Sequence, residues 1–454
     1  RDDVESRGLG DVYKRQTYDL LHYGHIKLLE RAKALGDYLI VGVTADDFDK
    51  TRGKINVQQS LMERIEAVRA TGLADKIIVE EYEGQKIDDI RRYGVDIFTV
   101  GSDWVGKFDY LNDYCKVVYL PRTEGISSSE IRAEKRKIRL GLVGEDSLLL
   151  KHLNESVFVN GVEVTAVYSE NAEILKEVDG RIENCKTFES LLGKCDAVYL
   201  VSVPQQHEEQ IRKAIAAGKH VLVESPIATN PEIVRELFES ARQHQVILME
   251  SIKTAYATAY DRLLLLIKSG KIGQVVSIDS VCTSLREKAP TLEEQNHVWS
   301  GFEAWMPTAL LPIYQLLGTN DCTEQFVSSF YDQQHHYDRF TQMNLIYPNA
   351  VATARVGMGV KAEGQLIISG TKGYVYVPAP WWKTDYFEVR FENQTDNKRY
   401  FYQLEGEGIR YEIAAFIRAI NSVVNVSSIE EDVSIKIADA FDKFRKGKNL
   451  ARIG

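Results

Sequence analysis

Short apolar runs alternate with amphipathic helical segments over the first third of the chain. Four of the runs have the length and composition of strands: "YLIVGVT", "KIIVEE", "DIFTVGS" and "KVVYLP". The segments between them, such as "SLMERIEAVRATG", repeat apolar positions at helical spacing. This alternation predicts an α/β domain over residues 17–136, with a parallel sheet and crossover helices. In its first helix Ile26, Leu29 and Ala32 share one face, and Gly36 is placed as the residue that ends the helix.

A second α/β pattern follows the charged segment "SEIRAEKRKIR". The strand "IRLGLV" leads into a glycine turn, and the strands "VEVTAVYS", "AVYLVSVP" and "HVLVES" then alternate with helices. This predicts a second Rossmann-like domain over residues 137–258. Later runs such as "VVSIDSVCTS", "AVATARVGM" and "YFEVRFE" are β-rich. They predict a mainly antiparallel α+β sheet domain over residues 259–454.

The first sixteen residues have a different character. Their segment "SRGLGDVYKRQ" back-translates to DNA that resembles a sequencing-library adapter joined in frame. We therefore interpret residues 1–16 as adapter-derived and leave them out of the fold prediction. On this interpretation the first strand of the sheet is missing.

The composition is that of an ordinary globular protein, with 44% hydrophobic and 27% charged residues. No apolar run approaches the length of about 18 residues that a membrane span needs. The five cysteines are scattered without a C-x-x-C pair, which argues against disulfides and a zinc site. A net charge of −10 gives no basic footprint for nucleic acid. We expect a cytoplasmic protein with small-molecule partners, no nucleic acid or membrane partner, and no protein-bound metal.

Two histidines flank a glycine in "TYDLLHYGHIKLLERAKALGD", at the start of the first predicted helix. With 9 His and 31 Gly in 454 residues, chance gives an H-x-G-H string in about one chain in a hundred. A helix N-terminus offers backbone N–H groups and the positive end of the helix dipole, which together bind phosphate. His22 and His25 share one face of the first turn. We therefore predict a site for nucleotidyl transfer here.

Two other segments carry donors that such a site needs. The basic loop "DKTRGK" contains Arg52 and Lys54, and the helix entrance "RTEGISSSEIR" combines Arg122 with Ser127 and Ser128. Both segments have an ordinary alternative, since charged loops are commonly only solvated and S-S-S-E is also a helix cap.

These segments, together with "GSDWVGKFDYL", resemble the glycerol-3-phosphate cytidylyltransferase family over residues 17–133. The resemblance implies a nucleotidyltransferase fold and a reaction of CTP with a glycerol phosphate that gives CDP-glycerol and pyrophosphate. Mg²⁺ would accompany CTP, and the product would supply polyol phosphate to cell-wall or capsular polymers. By the same resemblance the catalytic residues are His22, His25, Lys54 and Arg122. Contacts to CTP or substrate are implied for Thr17, Tyr18, Arg52, Asp103, Trp104, Thr123, Ile126, Ser127 and Ser128. The family's glycine before T-Y/F-D is Gln16 here.

Residues 137–445 resemble the Gfo/Idh/MocA oxidoreductase family through "AIAAGKHVLVESPIATNPE" and "LLLLIKSGKIGQVVSI". The resemblance implies NAD(P) at the turn that begins with Gly144. That turn is "GEDSLL" where the dinucleotide fingerprint has G-x-G-x-x-G, so Asp146 would lie beside a pyrophosphate. The family's lysine in E-K-P is Ser225, and its later acid and His/Tyr pair align approximately with Ala304 and Thr308.

Hydride transfer to a carbonyl needs a proton donor near the substrate oxygen, which a serine does not supply. We therefore predict that the second module is inactive and that Glu224, Ser225 and His207 cap and pack rather than form a dehydrogenase site. His297 is the best remaining candidate for a general acid in this part of the chain. Two alternatives stay open: an active NAD(P)-dependent polyol-phosphate oxidoreductase, or a non-enzymatic module that binds a ligand or dimerises the chain. We expect a homodimer or a higher homo-oligomer.

Overall fold

A computed structural model describes residues 10–45, 57, 59, 61–81, 84–121, 137–145, 147–285, 290–291, 294, 298–332, 337–402, 404–422 and 427–453. The chain divides into two compact units between residues 136 and 137.

The first unit is built on a parallel sheet, as the alternation predicted. Its described strands are β1 Asp11–Gln16, β2 Tyr38–Thr44, β3 Lys76–Glu80, β4 Ile97–Gly101 and β5 Lys116–Leu120, in the spatial order β3-β2-β1-β4-β5. Its described helices are α1 Tyr23–Lys33, α2 Leu61–Ala70 and α3 Gln85–Tyr93. One apolar cluster lies between the sheet and α1 and α2, and a second lies on the α3 side. The strand order reverses at β1, so the carboxyl ends of β1 and β4 flank a crevice where such sheets bind ligands.

The first strand is present, so our expectation that it is missing was wrong. Asp11–Gln16, from the segment that we attributed to an adapter, lies at the centre of the sheet and pairs with both β2 and β4. Its buried Arg15 forms an ion pair with Glu80 of β3, and the Lys86 Nζ lies 2.9 Å from the same carboxylate. A buried charge in a central strand is tolerated when it is paired in this way. Residues 11–16 therefore belong to the fold, whatever their origin.

The end of α1 also differs from the prediction. The helix ends at Lys33, and Ala34 rather than Gly36 caps it. A Cβ atom at Gly36 would lie 2.2 Å from the carbonyl oxygen of Gly10. The glycine is needed for this close approach to the segment before β1, and not as a helix stop.

The second unit begins with a parallel sheet. Its described strands are β6 Ile138–Val143, β7 Val162–Tyr168, β8 Glu183–Cys185, β9 Ala197–Leu200, β10 His220–Glu224 and β11 Leu248–Ser251, in the order β11-β10-β9-β6-β7-β8. The helices between them are α4 Leu148–Ser156, α5 Ala172–Glu177, α6 Phe188–Leu192, α7 Pro204–Ala216 and α8 Pro231–Gln243. This is the doubly wound arrangement that the sequence predicted.

A large mixed sheet follows α9 Thr258–Lys268. Its described strands are β12 Val275–Ser284, β13 Thr323–Asp332, β14 Tyr337–Ile346, β15 Val351–Met358, β16 Leu366–Gly370, β17 Tyr374–Val377, β18 Tyr386–Arg390, β19 Lys398–Phe401 and β20 Leu450–Arg452. Their order is β19-β18-β17-β16-β12-β15-β14-β13-β20. The β12–β15 and β13–β20 pairs are parallel and the other pairs are antiparallel, which confirms the mainly antiparallel prediction.

Three further helices belong to this unit: α10 Gly301–Leu317, α11 Ile409–Ser422 and α12 Glu431–Arg445. Ala438 of α12 is part of the apolar core under the parallel sheet. Glu412 of α11 accepts a hydrogen bond from Tyr199 of β9. The C-terminal helices α11 and α12 thus contact the Rossmann part. Among the helices described, none has both the length and the apolar character to cross a bilayer.

Candidate functional site

The chain turns sharply between β1 and α1. Tyr18 and Leu20 have φ angles of 57° and 49°, the left-handed region that is unfavourable for residues with a Cβ. The Tyr18 ring is buried and lies edge to face against that of His25, with centroids 5.7 Å apart. The Leu20 N–H donates to Gln59 Oε1 over 2.7 Å. The strained turn is thereby held against the entrance of α1.

Arg64 of α2 anchors this turn, and sequence reasoning missed it. Its fully buried guanidinium donates through Nη1 to the carbonyl oxygens of Thr17 and Thr44, over 2.7 and 2.8 Å, and through Nε to that of Gln59 over 3.1 Å. One cation thus ties the ends of β1 and β2 together. A charged residue in an amphipathic helix usually faces solvent, so the sequence carried no signal for this role.

His22 and His25 lie together at the N-terminus of α1. His22 is the N-cap, and its Nδ1 accepts the N–H of Gly24 over 3.1 Å. That bond leaves the proton of a neutral ring on Nε2, which makes Nε2 a donor. The two imidazoles stack with centroids 3.9 Å apart, and His25 is buried. The structure therefore brings the predicted pair to one helix entrance at the crevice.

Asp103 and Trp104 follow the neighbouring strand β4. They lie in the short 3₁₀ turn Ser102–Trp104. Asp103 is exposed, and the centroid of the Trp104 ring lies 5.9 Å from that of Phe108. Because parallel strands end at one edge of the sheet, this turn lies at the same edge as the turn that carries Thr17 and Tyr18.

Several predicted site residues lie outside the described residues: Arg52, Lys54, Arg122, Thr123, Ile126, Ser127 and Ser128. The last described residue before the "RTEGISSSEIR" segment is Pro121. Its carbonyl oxygen accepts a hydrogen bond from Arg31 of α1 over 2.6 Å, so the chain is tied to α1 at that point.

In the second unit, the turn after β6 forms hydrogen bonds with the residues that follow β7. The Glu145 carboxylate accepts the N–H of Glu170 over 2.8 Å, and the Asn171 amide donates to the Glu145 carbonyl over 3.1 Å. A Cβ at Gly144 would lie 3.1 Å from the Val201 carbonyl oxygen, so this glycine serves the packing of the turn against the chain just after β9. A carboxylate at the turn that would receive a dinucleotide repels its phosphates. The Glu145 carboxylate therefore argues against NAD(P) at this turn; Asp146 lies outside the described residues.

A cavity of about 310 Å³ opens beside β10 and β11. Its lining includes Glu224, Ser225, Ala304 and Thr308, the positions that we aligned with the oxidoreductase site. The structure thus brings the four aligned positions to one cavity, where Ser225 stands in place of the family's lysine and donates a hydrogen bond to Glu250. Sequence reasoning missed Lys151, His152 and Lys253, which line the same cavity.

His207 is not part of this site. Its ring is fully buried, with Nδ1 and Nε2 each 2.8 Å from a carbonyl oxygen, those of Pro226 and Ser202. Burial lowers its pKa. The packing role is therefore the one the geometry supports. His297 lies outside the described residues.

A buried polar network lies under the cavity. The Tyr199 hydroxyl is 2.9 Å from His152 Nε2, 2.8 Å from Glu224 Oε1 and from Ser251 Oγ, and 2.5 Å from Glu412 Oε1. His152, Glu224 and Glu412 also offer ligand atoms within 4.8 Å of one another, a spacing that suits a metal ion. The hydroxyl lies between all three, which favours a hydrogen-bonded network.

Geometry indicates which groups carry protons. His152 Nδ1 lies 2.8 Å from the Leu148 carbonyl oxygen, and its Nε2 lies 3.0 Å from Glu224 and 2.9 Å from the Tyr199 hydroxyl, so a charged ring can donate from both nitrogens. Burial opposes this charge, but the hydrogen bond and the charge of Glu224 outweigh it and raise the pKa of His152. Burial and the charge of Glu224 raise the pKa of Glu412 to about 7. The network therefore holds protons on His152 and Glu412 at mildly acidic pH.

Replacing Glu412 with glutamine should flatten the pH dependence of stability in the second unit. A carboxyl whose pKa rises on folding stabilises fully below its unfolded pKa and loses that contribution as pH rises through about 7. The raised pKa of His152 acts in the same direction. We expect the wild-type unit to lose on the order of 2 kcal/mol between pH 6 and pH 8. Calorimetry of the full chain at both pH values measures this loss.

The matched control is the exposed Glu177→Gln, which should keep the wild-type pH dependence. An equal pH dependence in Glu412→Gln and the wild type would show that Glu412 does not titrate in this range.

The first unit combines a parallel sheet, a strand-order reversal and an H-x-G-H helix entrance, and its residues 17–134 match the family model described as cytidylyltransferase-like. It is a nucleotidyltransferase. The glycerol-3-phosphate cytidylyltransferase of Bacillus subtilis strain 168 is 49% identical over 118 residues, which cover 91% of that protein and 26% of this chain. That of Staphylococcus aureus strain NCTC 8325 is 48% identical over 122 residues, 89% of that protein and 26% of this chain. Through its first unit the chain belongs to the glycerol-3-phosphate cytidylyltransferase family.

The second unit also matches the predicted family. Residues 138–252 match the model of an oxidoreductase family with an NAD-binding Rossmann fold. The structure of KijD10, a 3-ketoreductase from Actinomadura kijaniata in complex with NADP, aligns with a TM-score of 0.61 at 19% identity. The alignment covers 70% of this chain and 100% of that chain. At this identity the likeness shows the fold alone.

Proposed function

We propose that the first unit transfers the cytidylyl group of CTP to glycerol 3-phosphate, giving CDP-glycerol and pyrophosphate. The observation that carries the proposal is the stacked His22–His25 pair at the N-terminus of α1, at the strand-order reversal of the sheet. Histidine N–H donors and a helix N-terminus together suit a triphosphate. The identity to cytidylyltransferases that are named for glycerol 3-phosphate supports the choice of substrates.

In the proposed reaction an oxygen of the substrate phosphate attacks the α-phosphorus of CTP. The bond from that phosphorus to the bridging oxygen breaks, and pyrophosphate leaves with the bonding electrons. Negative charge builds up on the α-phosphate and the leaving group. His22 and His25 donate hydrogen bonds to that charge, and their stacked, partly buried rings are fixed in place before the reaction.

Other predicted residues complete the proposed site. Lys54, Arg52 and Arg122 would add positive charge around the phosphates, and Thr123, Ile126, Ser127 and Ser128 would form a second phosphate-binding turn. Asp103 and Trp104 would contact the base or the alcohol phosphate from the end of β4. Thr17 and Tyr18 would hold the nucleotide at the end of β1.

Mg²⁺ would neutralise the leaving pyrophosphate. Among the described residues of the first unit, no trio of metal-ligating side chains converges. We expect the ion to be bound by the phosphates of CTP. Pyrophosphate release by the full chain, with CTP and a panel of alcohol phosphates, tests the proposal.

We infer that the second unit does not turn over NAD(P)H. Its fold and its likeness to an NADP-bound reductase allow a nicotinamide cofactor. Glu145 in the turn after β6, Ser225 in place of a lysine and the neutral Ala304 and Thr308 argue against catalysis with one.

The full chain mixed with NADPH or NADH and dihydroxyacetone phosphate should therefore show no protein-dependent loss of nicotinamide absorbance. We expect a rate below about 0.01 per second, some thousandfold under that of a median enzyme. Saturable cofactor oxidation that Glu224→Gln abolishes would overturn this inference and favour the bifunctional alternative.

A further inference from the structure

Gln59 links the strained turn before α1 to α2 through three of its own groups. Its side-chain Oε1 accepts the N–H of Leu20 over 2.7 Å, and its backbone N–H donates to Asp19 Oδ1 over 3.0 Å. Its carbonyl oxygen accepts a hydrogen bond from Arg64 Nε over 3.1 Å. Gln59 lies two residues before the start of α2. The turn is therefore tied to a segment that is some forty residues further along the chain.

The side-chain bond to Leu20 matters because of the backbone angles of that residue. Leu20 has a φ of 49°, in the left-handed region, which a residue with a Cβ keeps only where the surrounding structure fixes it. The Oε1 atom of Gln59 supplies such a fixing contact to the Leu20 N–H. Without this acceptor the turn would be free to relax toward ordinary backbone angles.

A change at Leu20 would reach both histidines of the helix entrance. His22 follows Leu20 by two residues and is the N-cap of α1, with its Nδ1 bound to the Gly24 N–H. The direction of its Nε2–H thus depends on where the backbone of the turn lies. His25 stacks on His22 with centroids 3.9 Å apart, so it depends on the position of the first ring. A displacement of about 1 Å in such a group can lower a rate about a hundredfold.

We propose that Gln59 is a positioning residue for cytidylyl transfer, whose side-chain oxygen fixes Leu20 and thereby sets the two imidazoles at the entrance of α1. The inference rests on the proposed function of the first unit. Its role differs from that of Arg64, which binds the carbonyl oxygens of Thr17 and Thr44 at the ends of two strands. Gln59 acts on an N–H group within the turn itself. Its loss should therefore affect the reaction more than the fold.

Gln59→Met tests the proposal in the full chain, because methionine has a similar length and no oxygen acceptor. We expect kcat for pyrophosphate release, per folded molecule, to fall at least about tenfold, with KM for CTP within about threefold of the wild type. Gln59→Glu keeps an acceptor oxygen and should restore most of kcat. Hydrogen–deuterium exchange should be faster than in the wild type in the Gln59→Met peptide that contains Leu20, and unchanged in peptides from α2. If Gln59→Met fails to fold, the shorter Gln59→Asn provides the same test.

Met62→Leu, at an exposed position of α2, is the matched control and should keep the wild-type rates. An active wild type together with an unchanged kcat in folded Gln59→Met would overturn this inference and leave the proposed function standing. Equal losses of kcat in Gln59→Met and Gln59→Glu would also overturn it, because the acceptor oxygen would then not matter. A wild-type chain that releases no pyrophosphate would overturn the proposed function, and this inference with it.

Discussion

Replacing His25 with alanine should lower the turnover number for pyrophosphate release by at least about a hundredfold, the usual cost of losing one transition-state donor. The loss should fall on kcat more than on KM for CTP, because charge on the α-phosphate develops during the reaction. The fold should survive, since His25 lies at a helix entrance and stacks on His22 rather than filling the sheet core. Initial rates at saturating CTP, with circular dichroism of the same samples, measure both effects.

His244→Ala is the matched control, because His244 is exposed on the second unit and bonds only within its own helix. Its activity should equal that of the wild type. A folded His25→Ala protein with near-normal activity would contradict the assignment of the H-x-G-H segment as the transfer site.

Arg64→Met should damage both stability and activity of the first unit. Three carbonyl oxygens, of which those of Thr17 and Thr44 belong to buried residues, would lose a charged donor, which should cost at least about 3 kcal/mol. The turn that carries Tyr18 would also relax its unfavourable backbone angles, so turnover should fall at least about tenfold. Urea unfolding followed by hydrogen exchange in peptides from residues 11–45 measures the first effect, and pyrophosphate release the second.

Arg69→Met, on the exposed side of the same helix, removes a guanidinium that pairs with Glu66 at the surface. It should change stability by less than about 0.5 kcal/mol. If the two variants lose the same amount, Arg64 does not anchor the turn.

The apolar runs predicted most of the first sheet because a strand buried on both faces reads as a continuous hydrophobic stretch. Strand β1 was missed because we interpreted residues 1–16 as adapter-derived and left them out of the fold prediction. Its sequence "DVYKRQ" is charged, and its burial depends on Glu80 from β3 and Lys86 from α3, which the chain places beside it only after folding. Gly36 was misinterpreted because its close neighbour, Gly10, lies on a different segment.

The same distinction applies to the sites. The sequence alone predicted that His22 and His25 lie close together, because they are three residues apart at the start of one helix. The role of Arg64 could not be predicted, because it depends on carbonyl oxygens that are distant in the chain. In the second unit, Ala304 and Thr308, which were singled out by resemblance, line one cavity, whereas the resemblance did not single out Lys151 and Lys253, which line it too.

Mass spectrometry of the products formed by the full chain from CTP, Mg²⁺ and glycerol 3-phosphate tests the central claim most directly. Parallel reactions should replace CTP with UTP or ATP, and glycerol 3-phosphate with ethanolamine phosphate or ribitol 5-phosphate. We expect CDP-glycerol and an equal amount of pyrophosphate with the first pair of substrates, and loss of both when His22 and His25 are replaced by alanine. CDP-glycerol that is absent with a folded chain, or that forms equally well without the two histidines, would contradict the account.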